Sequence, residues 1–352
     1  MYVGLTYDLR SDYLAAGFGE EETAEFDRAD TVDAIEAALN VLGHTTDRIG
    51  HVHALVRRLA RGDRWDLVFN IAEGLQGVAR EAQVPAVLEA YQIACTFSDP
   101  LVCALSLDKA TAKRVLRDLG VPTAPFFVAA CEADLERGDL PYPLFVKPLA
   151  EGTAKGIDGQ SRVERPERLG PVVRRIWREF HQPALVETFL PGREFTVGIT
   201  GTGGRAEAVA TLEIILRASA EPHSYTYINK ERCEELCDFA LAPPDWARQA
   251  EELALAAWRG LGCRDAGRVD LRADADGRLH VLELNPLPGL HPTHSDLPML
   301  CTAAGVPYVE LIRRIVASAS ERIRPPDPRV LRLAAQSRPG VAAAAASGRP
   351  SW

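Results

Sequence analysis

The sequence contains no uninterrupted apolar run of about 20 residues, the length that a membrane-spanning helix requires. Its amino terminus lacks the basic start, long apolar stretch and small-residue cleavage site of a signal peptide. The formal net charge is -9, and no run of lysine and arginine provides a local basic field that would attract nucleic acid. These absences predict a cytoplasmic protein that neither spans a membrane nor binds nucleic acid.

Cysteine is present, but its pattern does not indicate a disulfide framework. The seven cysteines are odd in number and scattered along the chain, which favours reduced thiols in a large enzyme. Cys233 and Cys237 are four residues apart and could share a helix face, but no second pair and no histidine cluster accompany them. A metal or redox role for this pair is therefore disfavoured.

What the sequence does contain fits a folded protein of several domains. The 352 residues exceed what one ordinary core supports, and the shares of hydrophobic residues (47%) and charged residues (25%) are those of soluble globular proteins. The first 100 residues alternate short apolar runs with amphipathic stretches, which predicts a small parallel sheet with flanking helices. We therefore expect an N-terminal α/β substrate domain over residues 1–104.

Strand-like segments dominate the chain after Pro125. PLFVKP, ALVETFL, EFTVGIT and AVATLEIIL follow one another with few long helical patterns between them, which predicts antiparallel sheets with flanking helices. The segments GCRDAGRVDLRAD and GRLHVLELNP are separated by the turn DADG and predict a β-hairpin. The tail over residues 325–352 is rich in Pro, Ala, Gly and Ser and is predicted to be disordered.

A glycine-bearing loop follows one of these strands in the segment KPLAEGTAKGI, which begins at Lys147. Gly152 and Gly156 allow the backbone to turn and to present amide groups to an anion. Thr153 adds a hydroxyl, and Lys147 and Lys155 supply positive charge. The functional interpretation is a loop that covers phosphate groups, and the alternative is an ordinary surface turn.

Oxygen ligands are concentrated in the predicted hairpin. Glu283 and Asn285 are two residues apart on one strand, so they project from the same face. Asp270 on the neighbouring strand can face them, and Arg268, two residues before it, adds a positive charge. Two carboxylates and an amide oxygen suit magnesium, which keeps water or phosphate oxygens as its other ligands. The alternative is an exposed sheet face that carries solvated polar side chains.

Taken together, these segments resemble the D-alanine:D-alanine ligases of the ATP-grasp superfamily. The resemblance extends from about Asp66 to Ser318, through LDKATAK, FVKPLAEGTAKGI, LVETFLPGREFTVGI, SYTYINKE, RVDLRAD and LELNPLPGLHPTHSDLP. Several motifs in the family's order are more specific than any one of them. The resemblance implies an α/β protein of ATP-grasp architecture, in which the N-terminal parallel-sheet domain precedes two α+β subdomains, over residues 105–192 and 193–324, that clamp ATP.

The resemblance also implies roles for individual residues. It places at ATP a set of phosphate, adenine and ribose contacts, namely Lys109, Lys147, Gly152, Thr153, Gly156, Glu187, Thr188, Phe189, Leu190 and Glu194. Two magnesium ions, with manganese as an alternative, would be held by Asp270, Glu283 and Asn285. The implied catalytic group consists of Arg268 and the Gly289 amide at an oxyanion, Lys230 at the γ-phosphate, and Thr153 in the closing loop.

The chemistry that the resemblance implies is the activation of a carboxylate by ATP to an acyl phosphate, which an amine then attacks to give an amide. The substrates would be small molecules, namely a carboxylate and an amino acid or amine, and Ser295 would meet the carboxylate of the second substrate. His291 and His294 lie in the same loop and either touch substrate or pack the loop. The family also suggests a homodimer.

The region expected to bind the first substrate departs from the family pattern. The family's Gly-Gly-x-Ser-x-Glu loop, whose glutamate meets the ammonium group of the first amino acid, is replaced by TYDLRSDYLAAGFGEEE. The family's His-Gly becomes Glu73-Gly74, and the tyrosine expected after Lys230 is Glu231. Glu73 and Arg80 are the foremost pocket candidates in a charged set that comprises Asp8, Arg10, Asp12, Glu73, Arg80, Glu81 and Glu231. For each of them taken alone, a solvated surface charge is the favoured interpretation, because charged residues are usually exposed.

Three functions are open on the sequence alone. The first is an amide-forming or peptide-forming ligase whose substrates differ from two D-alanines. The second is an authentic D-alanine:D-alanine ligase of cell-wall synthesis whose first loop has diverged. The third is a nucleotide-binding regulator without catalysis. The regulator is disfavoured by the retained residues Asp270, Glu283, Asn285, Lys147 and Arg268, because a protein that only binds a nucleotide has no need of an oxyanion group.

Overall fold

The computed structural model describes residues 1–136, 138–329 and 332. Most of the tail that the sequence predicts to be disordered lies outside these residues. Within the described ranges, no helix combines the length and apolar character that a membrane crossing requires. All seven cysteines lie in the described part of the chain, and all are free thiols.

The N-terminal part of the chain forms the predicted parallel sheet. Its strands are β1 (Tyr2–Thr6), β2 (Thr45–Arg48) and β3 (Leu67–Asn70), in the order β2-β1-β3. The helices of this part are α1 (Arg10–Ala15), α2 (Ala29–Val41), α3 (Val52–Arg61) and α4 (Gln83–Ala90). Every residue of β3 is buried, as expected of a parallel strand that is covered on both faces.

The middle of the chain forms a four-stranded antiparallel sheet. Its strands are β4 (Phe126–Ala129), β5 (Leu144–Pro148), β6 (Arg162–Val163) and β7 (Ala184–Thr188), in the order β4-β7-β5-β6. The helices are α5 (Pro100–Leu107), α6 (Lys109–Asp118), α7 (Glu132–Leu135) and α8 (Pro166–Phe180). The buried residues of α8, among them Val172, Val173 and Ile176, recur at helical spacing and pack against Val146 and Val186 of the sheet.

The loop after β5 turns back sharply at Gly156, which has a φ of 72°. A Cβ atom at this position would lie 2.6 Å from the Pro148 side chain and 2.8 Å from the Phe180 ring. Both the positive φ and the close approach therefore require glycine. Nearby, the Asp108 side chain accepts a hydrogen bond from the Thr111 amide at 2.8 Å. This cap starts α6 at Lys109 and holds that lysine at the edge of the loop.

The C-terminal part forms a five-stranded antiparallel sheet. Its strands are β8 (Glu194–Thr200), β9 (Glu207–Leu216), β10 (Cys237–Leu241), β11 (Ala266–Ala273) and β12 (Leu279–Asn285), in the order β10-β9-β8-β11-β12. The helices are α9 (Tyr227–Glu231), α10 (Cys233–Leu236), α11 (Pro244–Leu261), α12 (Asp296–Ala303) and α13 (Tyr308–Ser320). The predicted hairpin is present, because β11 and β12 pair antiparallel. Trp258 of α11 packs so closely on β11 that a Cβ atom at Gly267 would lie 2.5 Å from its ring.

The C-terminal helices return to the first sheet and join the two ends of the chain. Leu311 and Ile315 of α13 belong to the same buried cluster as Leu5 and Phe69. The Asp265 carboxylate, which is fully buried, accepts from the Phe97 amide at 2.7 Å and pairs with Arg322. The domain boundaries drawn from the sequence stay a prediction. The three sheets are separate, yet α13 lies in the third predicted domain and completes the core of the first.

Candidate active site

A cleft between the three sheets gathers most of the residues that the motifs indicate. It has two compartments. The apolar compartment encloses about 890 Å³ with its mouth and includes Phe145, Phe189 and Ile214 among its walls. The charged compartment measures about 1230 Å³, open mouth included, and faces the N-terminal sheet. The two compartments form one continuous cleft, because they share six polar lining residues. These are Lys109, Glu151, Lys230, Arg268, Glu283 and Asp296.

The hairpin brings together the side chains predicted to hold metal. Asp270 is opposite Glu283 in the strand register, and Arg268 is opposite Asn285. The Asn285 side-chain amide donates to Asp270 Oδ2 at 3.1 Å, and Arg268 Nε donates to Asp270 Oδ1 at 3.1 Å. The two carboxylates and the amide therefore share the face that the two-residue spacing predicts. This oxygen-rich set fits a hard cation such as magnesium.

Positive charge surrounds these carboxylates. Burial opposes the ionisation of Glu283, but Lys109 and Lys147 outweigh it and lower the pKa of Glu283 to about 2. Burial also disfavours the charge of Arg268, yet the neighbouring Asp270 and Asp296 raise the pKa of Arg268. The hairpin thus carries fixed charges of both signs at the junction of the two compartments.

Asp296 belongs to this network, although the sequence did not single it out. It is 8% exposed, and its Oδ2 lies 3.4 Å from Arg268 Nε and 3.6 Å from Lys230 Nζ. Asp296 is the first residue of α12 and follows the predicted substrate residue Ser295 directly. An acid in the first turn of a helix ordinarily indicates favourable interaction with the helix dipole. Because this ordinary role already explains an acid at position 296, the sequence gives no sign that Asp296 also contacts Arg268 and Lys230.

In the apolar compartment, the predicted phosphate lysine and the predicted adenine glutamate contact each other. Lys147 Nζ lies 2.9 Å from Glu187 Oε2, and Lys113 Nζ lies 2.6 Å from Glu187 Oε1. Burial raises the pKa of Glu187, but the two lysines prevail and lower it to about 2. Burial, together with the neighbouring Lys147, lowers the pKa of Lys113, whereas the burial of Lys147 is outweighed by Glu187 and Glu283, which raise the pKa of Lys147. Lys113 lies in the LDKATAK motif, but no role was assigned to it from the sequence.

Thr188, Phe189 and Leu190 at the end of β7 are predicted to lie along the edge of the adenine base. In the described part of the chain, one of their three backbone amides is free to donate. The amides of Thr188 and Phe189 already donate to the carbonyls of Pro125 and Pro143. The Leu190 amide has no acceptor within the described ranges. Glu194, predicted at the ribose, lines the same compartment and lies 3.2 Å from Arg272.

The predicted phosphate loop holds an anion supplied by the chain itself. The Gly152 amide donates to Glu25 Oε1 at 2.5 Å, and Glu25 Oε2 lies 3.0 Å from the Arg80 guanidinium and 3.5 Å from Lys155 Nζ. Lys109 donates to the backbone carbonyl of Glu151 in the same loop. A carboxylate at this amide shows that the loop presents its backbone to negative charge, as predicted. Glu25 itself was missed, because it follows the departing segment TYDLRSDYLAAGFGEEE by three residues and belongs to none of the matched motifs.

The seven charged candidates of the substrate region separate into two groups. Four of them line the charged compartment, and these are Arg10, Glu73, Glu81 and Glu231. Arg80 instead lies behind the wall, where it is 8% exposed and donates to the Ala150 carbonyl at 3.0 Å while it holds Glu25. Asp8 is buried and accepts from the Gly74 amide at 2.9 Å, whereas Asp12 is exposed. Arg80 and Asp8 thus position the wall and do not line the cleft.

The loop after β12 supplies the remaining predicted groups. Gly289, Ser295, His291 and His294 line the charged compartment. Ser295 Oγ accepts from the His291 amide at 2.9 Å, which fixes the turn of this loop. His294 Nδ1 lies 3.0 Å from Glu234 Oε1, and these two residues form a compact group with Cys233, whose ligand atoms all lie within 4.8 Å. Thr153 and Lys230 line the same compartment from the phosphate loop and from α9.

Comparisons with known proteins agree with the family resemblance found in the sequence. The family model for the D-ala D-ala ligase C-terminus matches residues 115–317. A D-alanine–D-alanine ligase of Marinomonas sp. (strain MWYL1) is 33% identical over 264 residues, which are 74% of this chain and 79% of that protein. The uncharacterized protein y4sG of Sinorhizobium fredii is 34% identical over 300 residues, 82% of this chain and 87% of that protein. A crystal structure of D-alanine–D-alanine ligase from Bacillus anthracis complexed with ATP shares the fold, with a TM-score of 0.68 at 21% identity, and the match covers 96% of this chain and 99% of that one.

The fold and the sequence relatives define an ATP-dependent ligase of the ATP-grasp class. Within that class, the chain belongs to the D-alanine–D-alanine ligase family. The predicted fold class, family and kind of enzyme are therefore confirmed. The predicted roles of individual residues stay predictions, and so does the choice between altered and authentic substrates.

Proposed function

We propose that the chain is an ATP- and magnesium-dependent carboxylate-amine ligase that forms an amide through an acyl phosphate and uses at least one substrate other than D-alanine. The observation that carries the proposal is the junction of the two compartments. Lys109, Arg268 and Glu283 line both of them. A nucleotide in one compartment and a carboxylate with an amine in the other would therefore meet at these side chains.

The phosphate end of ATP would be bound by groups that already surround anions. The Gly152 amide, Lys109 and Lys147 present positive charge toward the junction, and Lys113 shares Glu187 with Lys147. Magnesium, held by Asp270, Glu283 and Asn285, would supply the positive charge that phosphoryl transfer requires. The apolar side of Phe189 and Phe145 would receive the base, and the free Leu190 amide would meet its edge.

Two bond-forming steps follow from this placement. A carboxylate oxygen of the first substrate attacks the γ-phosphorus, and ADP leaves with the electrons of the broken P–O bond. The amine of the second substrate then attacks the acyl carbon, phosphate leaves, and the amine loses a proton. Arg268, which is fixed by Asp270 and Asp296, and the Gly289 amide would face the oxyanion of the second step.

The altered substrate is proposed from the charged compartment. Where the family has a histidine, this chain has Glu73, and where it has a tyrosine after Lys230, this chain has Glu231. Both residues line the compartment. Polar groups left unpaired in a pocket reject ligands that do not match them, often strongly. The second candidate, an authentic D-alanine–D-alanine ligase, is favoured by the names of the curated relatives at 33% identity.

The same proposal includes two magnesium ions and a homodimer, which rest on the family resemblance, and a cytoplasmic location, which rests on the pattern of the sequence. The decisive experiment offers pairs of amino acids and small amines with ATP and magnesium, follows the release of ADP and phosphate, and identifies products by mass. We expect amide formation that requires both partners, with a pair other than two D-alanines preferred by at least about tenfold in kcat/KM. Efficient D-alanyl-D-alanine formation that no other pair matches would establish the authentic ligase.

A further inference from the structure

Three carboxylates form one wall of the charged compartment, which we call the acidic wall: Asp27, Glu73 and Glu81. Asp27 precedes α2, Glu73 follows β3, and Glu81 lies in the short helical turn Arg80–Ala82 before α4. The segments are distant in sequence, and they meet at the carboxyl ends of the parallel strands β1 and β3. This edge is where α/β domains place their ligands.

No cation of the described chain reaches the acidic wall. Within residues 1–136, 138–329 and 332, no lysine, arginine or histidine nitrogen lies within 4.0 Å of its three carboxylates. Three basic groups around the compartment have other partners, and Arg28, which also lines it, has no carboxylate of the acidic wall within 4.0 Å. Arg80 pairs with Glu25 at 3.0 Å, Lys155 pairs with Glu151 at 2.5 Å, and Lys109 lies 3.3 Å from Glu283.

The three residues are partly buried, and burial disfavours a charged carboxylate that has no ionic partner. Burial raises the pKa of Glu81 to about 7, against the opposing effect of Arg80. Burial, with Asp8 adding to it, raises the pKa of Asp27 to about 7, although Thr31 donates to it. Burial and the Glu81 carboxylate likewise raise the pKa of Glu73. A cation brought by a ligand would remove this cost, which is the usual reason why such groups mark binding sites.

The spacing of the carboxylates favours an organic cation over a metal ion. In the described part of the chain, the group of three acidic, histidine or cysteine side chains whose ligand atoms converge within 4.8 Å is Cys233, Glu234 and His294. The carboxylate oxygens of the acidic wall therefore lie farther apart than the ligand atoms around a single metal ion. An ammonium group or a planar guanidinium, which carries several donors, can reach carboxylates at such distances.

From this geometry we infer that the acidic wall is a subsite for a positively charged side chain, so that one substrate is a basic amino acid or a diamine. The inference rests on the proposed function, since the subsite opens into the compartment that contains Gly289 and Ser295. One carboxylate would suffice for the ammonium group of a neutral amino acid. Three carboxylates without a counter-ion call for a second cationic group.

The test compares substrates that differ in charge and little in shape. Arginine is offered against citrulline, and lysine against norleucine, each in both stereochemical forms and with a panel of second substrates. ADP release and product mass are recorded. We expect the charged member of each pair to have at least about a tenfold higher kcat/KM. Glu73→Gln and Glu81→Gln should each remove most of that preference, whereas Glu89→Gln, an exposed residue of α4, should leave it unchanged.

The outcomes separate this inference from the proposed function. Equal use of charged and neutral members, unaffected by Glu81→Gln, would overturn the cation subsite and leave the ligase intact. Calorimetry with a non-hydrolysable ATP analogue and magnesium gives a second measurement. If arginine or lysine bound and their neutral counterparts did not, while no pair of substrates released ADP, the subsite would stand and the ligase would fall. If no charged member bound, or if a divalent cation alone occupied the wall in a manner lost in Glu81→Gln, the inference would be wrong.

Discussion

The charged side chains on one wall of the charged compartment have ionic partners, whereas in the described part of the chain those on the other wall do not. We call the polar side chains of β11 and β12 at the cleft the hairpin wall. There, Arg268 contacts both Asp270 and Asp296, and Glu283 lies 3.3 Å from Lys109. On the acidic wall, Glu73 and Glu81 have no ionic partner within the described residues. Paired charges fit the proposed site of ATP and magnesium. Unpaired charges fit the proposed subsite for a cationic group of the substrate.

The two walls also differ in their position along the sequence. The hairpin wall lies inside residues 115–317, which match the family model, and the acidic wall lies before them. Paired charges hold each other in position, so that the geometry of the proposed reaction centre does not depend on the ligand. The acidic wall is free of this requirement and can vary with the substrate. Mutations on the two sides should therefore differ in what they change.

The largest expected effect is on the hairpin wall. Asn285→Ala removes an oxygen from the proposed magnesium site and the amide that donates to Asp270 at 3.1 Å. We expect turnover to fall by at least about 100-fold with every substrate pair, because charge neutralisation at the phosphates is lost. Steady-state ADP release measures it, and Glu252→Gln, an exposed residue of α11, is the control. Full activity of Asn285→Ala, or of the wild type with magnesium chelated, would contradict the metal assignment.

The next effect concerns stability in the apolar compartment. Glu187 has a pKa of about 2 instead of its ordinary 4.5, because two buried lysines hold it. Since the folded-state pKa is the lower one, the stabilisation is fully present above pH 4.5 and is lost as the pH falls toward 2. Glu187→Gln should therefore lower the free energy of unfolding by roughly 3 kcal/mol at pH 7. The difference from wild type should shrink steadily below pH 4.5 in urea titrations.

Glu310 of α13 provides a matched control for this measurement. Arg313 and Arg314 lower its pKa to about 2 as well. Its side chain is 31% exposed, however, whereas that of Glu187 is 4% exposed. Solvent screens the exposed pair, so Glu310→Gln should cost at most about 1 kcal/mol. Equal losses for the two variants would show that the buried pairs of the apolar compartment contribute nothing special.

The sequence predicted the hairpin wall better than the acidic wall for a physical reason. Alternation along β11 and β12 fixes which side chains share a face, so Arg268, Asp270, Glu283 and Asn285 could be grouped from spacing alone. The charged compartment depends on loops that fold back from distant segments. Spacing within such a loop does not tell which charge points inward, and Arg80 and Glu81 point to different sides although they are adjacent.

The sequence also did not predict contacts between side chains that are far apart along the chain. Glu25 binds the Gly152 amide over 127 positions, and Asp296 meets Arg268 only when α12 has packed under the sheet. Local pattern predicts the elements and the motifs that lie within one element. It does not predict which charged side chain of one region neutralises that of another, because the tertiary fold decides this. The sequence thus indicated the glycine-bearing loop, whose phosphate role stays a prediction, but it did not indicate the carboxylate bound to the Gly152 amide.

The smallest expected effect tests the contact that joins the two sides. Glu25 links the N-terminal segment to the phosphate loop through the Gly152 amide, Arg80 and Lys155. Glu25→Gln keeps an acceptor for the amide but removes the charge that holds Arg80 and Lys155. The loss of stability should be smaller than for Glu187→Gln, since Glu151 still pairs with Lys155 at 2.5 Å and lies 3.8 Å from Arg80.

The loop should then close less firmly over ATP, because one of its anchors is weakened. We expect the KM for ATP to rise by about threefold to tenfold, and more ADP to be released per amide formed, since an exposed acyl phosphate hydrolyses. Comparing ADP with amide in the same reaction measures both. Glu21→Gln is the control, because Glu21 is exposed and its oxygen lies 3.4 Å from the Gly156 amide. A lower KM for ATP in Glu25→Gln would mean that Glu25 competes with phosphate for the loop, and unchanged kinetics would mean that the two sides of the cleft act independently.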